Sequence, residues 1–150
     1  MTEPTPEMLA DLLGGVIQDT AFVFADPAEE PASWEGPVLV ARIAFESTRS
    51  GTLRLATTMP AAAEIAANML GVDPGTPEAD DQARAAVSEL LNVIGGAFIT
   101  RYFGSEVPSQ LGLPATDLCA APPPARRTCF TAARLESGEP LVLELDIGER

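Results

Sequence analysis

The chain contains no histidine. That absence removes the commonest general base and the commonest metal ligand together, and with them Ser-His-Asp and Cys-His nucleophilic chemistry. Only two cysteines occur, Cys119 and Cys129, too few and too far apart for a zinc site. Spacing alone leaves a disulfide between them open, although in a cytoplasmic chain two reduced, half-buried thiols are expected. Long apolar runs are absent too: none reaches the roughly 18 residues a membrane span requires. No glycine-rich phosphate loop is present, because Gly14-Gly15 and Gly95-Gly96 both fall inside helical patterns and match no nucleotide fingerprint. Basic residues are scarce. The net charge of −13 repels nucleic acid and anionic membrane surfaces and favours a protein partner with a basic patch, or serves solubility alone. The start, Met1-Thr2-Glu3-Pro4, lacks the basic opening of a secretory signal, so a cytoplasmic location is expected.

What remains is ordinary globular material. The 150 residues suffice for a single domain, residues 1–150, with a real core, and 46% hydrophobic against 21% charged residues argues against disorder. Apolar residues at Met8, Leu9, Leu12, Leu13, Val16 and Ile17 predict an amphipathic helix from Pro6 to about Asp19. Ala21-Phe22-Val23-Phe24 reads as a short strand and Asp26 to Pro37 as a loop. Val38–Glu46 and Gly51–Thr58 alternate as strands around a Ser47–Gly51 turn. Met59-Pro60 opens a second helix that Gly71 closes. Thr76 is a suitable N-cap and Pro77 a suitable first residue for a long third helix reaching about Phe103, where Gly104 can stop it. Val107 to Pro124 reads as irregular, and Thr128–Leu135 with Leu141–Ile147 as a last hairpin. The expected fold class is α+β, a mostly antiparallel sheet with helices packed on one face.

The third helix holds the most informative residues. At 100° per residue, Val87, Leu90, Leu91, Ile94, Phe98 and Tyr102 gather on one side. Glu89, Asn92 and Gly96 gather on the other, a carboxylate and a carboxamide one turn apart with a bare position beyond them. A solvated acid, an asparagine bonded to a nearby loop and glycines admitting a packed neighbour would explain these residues blandly. An apolar-backed helix with a small polar ridge is also suited to insertion into a partner. Asp11-Leu12-Leu13-Gly14 echoes Glu89-Leu90-Leu91-Asn92 without the amide. That echo fits a two-copy fold with one live and one dead ridge, and equally two unrelated amphipathic helices.

At Glu89-Leu90-Leu91-Asn92-Val93-Ile94-Gly95-Gly96 the chain resembles the CheC/CheX family of chemotaxis phosphatases, whose pattern is a Glu, two residues, an Asn, three residues and a Gly. The helix ending in Ala66-Ala67-Asn68-Met69-Leu70-Gly71 before an acidic linker, and the strand pairs on either side, extend the resemblance over most of residues 8–147. A single live motif is similar to the CheX type. Gly95, which doubles the glycine, departs from the pattern and would loosen the helix by up to about 1 kcal/mol relative to alanine.

The resemblance implies a CheC-like pseudo-two-fold fold and a protein-aspartyl-phosphate phosphatase acting on a CheY-like receiver domain. It implies Asn92 and Glu89 as the catalytic pair, with Glu89, Asn92 and Gly96 contacting the partner, and a homodimer. It implies no cofactor or metal of the chain's own, the Mg²⁺ belonging to the receiver. A non-catalytic receiver-binding or flagellar-switch module, and a purely structural dimer, are the rival expectations.

Overall fold

The structure is a computed structural model and describes residues 2–148. Helix α1 spans Pro6–Ala21: Thr5 caps it through its side-chain oxygen, which accepts from the Met8 amide at 3.2 Å, and Pro6 occupies the first turn. It buries Leu9, Leu12, Leu13, Ile17 and Ala21. Phe22 ends it in the left-handed region at φ 56, a position where glycine is usual. The strand expected at Ala21–Phe24 is therefore displaced: burial of Ile17 and Ala21 carries the helix to its end, and β1 is the short Ala25–Pro27.

Strands β2 (Val38–Glu46) and β3 (Ser50–Thr58) pair as the hairpin that alternation predicts. Thr58 then caps α2 (Met59–Leu70), accepting from the Ala61 amide at 3.2 Å, and Gly71 closes it at φ 73. Thr76 caps α3 (Pro77–Asp81) in the same way. The expected single helix is broken here. Gln82, at φ −97 and ψ 2, separates α3 from α4 (Ala83–Phe103). The break does not interrupt the apolar spacing, since Ala79, Ala83 and Ala86 are all buried. The segment expected to be irregular holds two strands, β4 (Gln110–Leu111) and β5 (Ala115–Cys119), before the hairpin β6 (Cys129–Leu135) and β7 (Pro140–Ile147).

The sheet runs β1-β6-β7-β3-β2, with β4 and β5 in tandem along the outer edge of β2, and every pairing is antiparallel. Leu39, Ala41, Ile43 and Phe45, Leu53 and Leu55, and Leu141, Leu143, Leu145 and Ile147 alternate onto one face. There they form a continuous core with α1, α2 and α4. The opposite face carries a smaller cluster, Val38, Val40 and Ala56 against Trp34 and Cys119.

The strand order reads the same from either edge. Helix α1 rests on β6 and β1, as α4 rests on β2 and β5. The half α1-β1-β2-β3 is thus related to the half α4-β5-β6-β7 by an approximate two-fold axis between β3 and β7. The echo between α1 and α4 falls on equivalent elements. Leu9, Leu12, Leu13 and Ile17 are buried as Val87, Leu90, Leu91 and Gly95 are.

Candidate functional site

Helix α4 is held along its back. Val87, Leu90, Leu91, Ile94 and Phe98 have no exposed surface. Phe98 packs between the Phe45 ring, at 5.3 Å between centroids, and the stacked Tyr102 ring at 5.5 Å. The C-terminal turn is fastened as well. The Tyr102 hydroxyl accepts from the Arg49 guanidinium and donates to the Thr2 carbonyl, both at 2.8 Å, and Arg101 pairs with Asp11 at 3.4 Å. Arg49 is itself buried. It donates to the Gly148 carbonyl at 2.9 Å and grips the Glu3 carboxylate, which holds its guanidinium charged. The opening segment, the β2–β3 turn, the end of β7 and the end of α4 are therefore tied to one cation.

On this fixed cylinder Glu89 and Asn92 are exposed, one turn apart, and Gly96 is half-exposed beyond them. Among the described residues neither the Glu89 carboxylate nor the Asn92 carboxamide has a hydrogen-bond or ion-pair partner. Asn has weak helix propensity, and an unengaged one in mid-helix does nothing for the fold. Val93, 36% exposed, lies on the same side.

The two glycines differ. A Cβ at Gly96 would meet nothing within 4 Å, so the bare position faces open space. A Cβ at Gly95 would come within 2.9 Å of Leu111 Cδ1 and 3.6 Å of Ile43 Cγ2. Gly95 is the packing glycine, admitting the β4 side chain and the sheet, and α4 runs unbroken through both. Of the three residues expected to meet a partner, all three lie on one accessible ridge. Gly96 leaves this stretch of the ridge bare, with no neighbour of its own chain within 4 Å of an added Cβ.

Other polar clusters are closed on themselves. On the far face of the sheet, Glu30 accepts twice from Arg127, at 2.7 and 2.8 Å, and Arg127 also reaches Glu144 at 3.2 Å. Glu144 pairs with Arg54 at 2.6 Å, and Arg54 donates to the Pro123 carbonyl. This chain of charges borders a cavity of about 330 Å³ with Trp34 and Pro122–Pro124, and it pins two loops to the sheet. The Arg127 hydrogen bonds hold the Glu30 carboxyl below its usual range, against a smaller opposing effect of burial. Cys129 lies on the helix side. Burial pushes its thiol pKa up, and the Glu3 and Glu7 charges push further. The two cysteines are free. Among the described residues no group of three His, Cys, Asp or Glu could hold a metal ion, and no helix is long and apolar enough to cross a membrane.

A family profile described as "Chemotaxis phosphatase CheX" matches residues 39–122, the stretch from β2 through the ridge to the segment after β5. No curated relative matches the sequence. Solved structures share the fold at low identity. A CheX–CheY–BeF3–Mg²⁺ complex from Borrelia burgdorferi contains a chain 16% identical to this one, with a TM-score of 0.71, covering 95% of this chain and 97% of that one. The CheX of Desulfovibrio desulfuricans is 18% identical over 93% and 96%, with a TM-score of 0.68. A CheC-like superfamily protein from a Shewanella species gives 16% identity over 94% and 95%, with a TM-score of 0.70.

Proposed function

The chain belongs to the CheX family of chemotaxis phosphatases, and from that premise we propose that it hydrolyses the phospho-aspartate of a CheY-like receiver domain, with Asn92 positioning the attacking water. The observation that carries this reading is the unengaged carboxamide of Asn92, exposed on a helix whose back is wholly buried.

An acyl phosphate is already activated, so its hydrolysis needs placement more than covalent help. A water must lie in line behind phosphorus. Its oxygen bonds to phosphorus as the aspartyl C–O–P linkage opens on the opposite side. The carboxylate of the receiver leaves with the bonding pair, and inorganic phosphate is released carrying the water's oxygen and both its protons, as H2PO4⁻, which then equilibrates with solvent. A carboxamide both donates and accepts, so Asn92 can hold that water in one orientation. Positioning of this kind lowers a barrier by several kcal/mol without any tuned pKa, which suits a chain lacking histidine. Charge on the equatorial oxygens would be met by a Mg²⁺ and a basic residue held by the receiver. Glu89 acts as a docking charge toward a lysine at the phosphorylation site, fixing register more than adding affinity. The clearance at Gly96 lets the receiver backbone approach the helix. A homodimeric, cytoplasmic protein is part of the same proposal, tested by sedimentation and by fractionation.

The experiment is phosphate release from phosphorylated receivers of the host by the wild type, Asn92→Ala and Glu89→Ala. Acceleration by the wild type and its loss in Asn92→Ala are expected, with Glu89→Ala raising KM. Receiver binding without acceleration by the wild type would make the chain a docking module instead.

A further inference from the structure

Two connections cross the far face of the sheet, away from α4. Residues 28–37 join β1, at one edge, to β2, and residues 120–128 join β5, at the other edge, to β6, so both must pass the central strands β7 and β3. They do so on the side where Arg54, Ala56, Val142 and Glu144 alternate with the core leucines. Pro31 and Pro37 stiffen the first connection and Pro122–Pro124 the second. The two do not close down onto the strands. They leave the cavity of about 330 Å³ between them, at the small end of the roughly 300–1,000 Å³ usual for ligand sites.

The floor of this cavity is two cross-strand pairs, one charged and one apolar. Arg54 stands opposite Glu144, and two residues along the strands Ala56 stands opposite Val142. Trp34 packs over the apolar pair. At the charged pair the alternation continues outward, through Arg127 to Glu30, and the four charges sum to zero. The Arg54–Glu144 pair is the inner one, its side chains 13% and 10% exposed; the Arg127–Glu30 pair is the outer one, at 30% and 37%. This balance selects a ligand by its charge. A lone anion or cation would take one member of a pair and leave the other unmatched in a half-buried place. A zwitterion satisfies both members of the outer pair, its carboxylate accepting from Arg127 and its ammonium donating to Glu30.

We propose that the cavity binds a free α-amino acid with an apolar side chain, its carboxylate on Arg127, its ammonium on Glu30 and its side chain over Ala56 and Val142 beside Trp34. The volume suits a ligand of this size, and an α-amino acid carries its two charges close together, as insertion between two directly paired side chains requires. The ligand would join the two connections in place of the direct ion pair. Their prolines hold the cavity in shape beforehand, which lowers the ordering cost of binding. None of these residues lies on α4, so the site is independent of the Asn92 reading.

The test reads the fluorescence of Trp34, the only tryptophan of the chain, together with titration calorimetry on the full chain. The probes are free leucine, isoleucine, methionine and phenylalanine, with N-acetyl-leucine, which lacks the cation, and leucinamide, which lacks the anion. At least one of the four free amino acids is expected to shift the emission saturably at concentrations up to about 10 mM, and both single-charge leucine derivatives to bind at least about tenfold more weakly than leucine. Glu30→Gln removes the ammonium partner, and Ala56→Leu fills the apolar floor while keeping all four charges. Each variant should weaken binding at least about tenfold, and Glu30→Gln keeps the assay decisive should Ala56→Leu fail to fold. No saturable change with any free amino acid would overturn the proposal. Equal binding of N-acetyl-leucine or leucinamide would overturn the selection by charge, and undiminished binding in Glu30→Gln would remove the site from this cavity.

Discussion

Substitution at Gly96 sets local stability against partner clearance. Glycine inside a helix costs about 1 kcal/mol relative to alanine through backbone entropy. At Gly96 nothing lies within 4 Å of the added Cβ, so no steric penalty offsets the gain. Gly96→Ala is therefore expected to stabilise by up to about 1 kcal/mol, raising the melting temperature by roughly 2–4 °C in a chain of this size. Gly96→Leu should gain nearly as much, since leucine is also a strong helix former, while placing a branched side chain where the receiver must come close. Its KM for phosphorylated receiver should rise at least about tenfold, a loss of about 1.4 kcal/mol in docking. Gly95→Ala is the control: its Cβ would sit 2.9 Å from Leu111 Cδ1, so Leu111 must shift, and the gain should shrink or vanish. Thermal melts followed by circular dichroism and phosphate-release kinetics read both quantities. A Gly96→Leu protein that is more stable and fully active would refute the clearance argument. A Gly96→Ala protein that is no more stable than wild type would refute the local one.

Arg49→Met removes a buried guanidinium that holds Glu3, Tyr102 and the Gly148 carbonyl, and should cost about 2 kcal/mol in chemical denaturation and loosen the opening segment toward proteolysis. An unchanged denaturation midpoint would contradict that role. Because Arg127 holds the Glu30 carboxyl below its usual range, this ion pair stabilises the fold above the ordinary glutamate pKa. The contribution is lost as pH falls through the lowered folded value. Melts taken across that acid range should show the loss in wild type and not in Glu30→Gln, and identical pH profiles would exclude the effect. With Cys119 replaced by serine, Cys129 should react with iodoacetamide at pH 8 several-fold more slowly than free cysteine, because burial raises its thiol pKa. An equal rate would contradict the burial.

The elements that were legible in the sequence are those with local causes. Helix α2 opens and closes where Pro60 and Gly71 place it, and β2 and β3 follow their own alternation. The orientation of α4 was legible because its apolar spacing is long and regular, so Glu89, Asn92 and Gly96 fall on the exposed side as expected. What escaped depends on distant partners. Ala21–Phe24 looks like a strand until Ile17 and Ala21 are seen to need the core under a helix. The break at Gln82 leaves the burial rhythm of Ala79, Ala83 and Ala86 undisturbed, so no periodicity reports it. Strands β4 and β5 have no apolar alternation of their own, and the free edge of β2 makes them strands. For the same reason Leu118 carries no local signal of its place on the helix side of that edge. The opposite roles of Gly95 and Gly96 appear only once Leu111 is in position.

The most direct measurement is a crystal structure of this chain bound to a beryllofluoride–Mg²⁺-loaded receiver. The account predicts α4 seated over the phosphorylation site, with the Asn92 carboxamide about 3 Å from a water in line with the acyl-phosphate mimic. A complex in which Asn92 lies outside that pocket, and another group of the chain holds the in-line water, would contradict it.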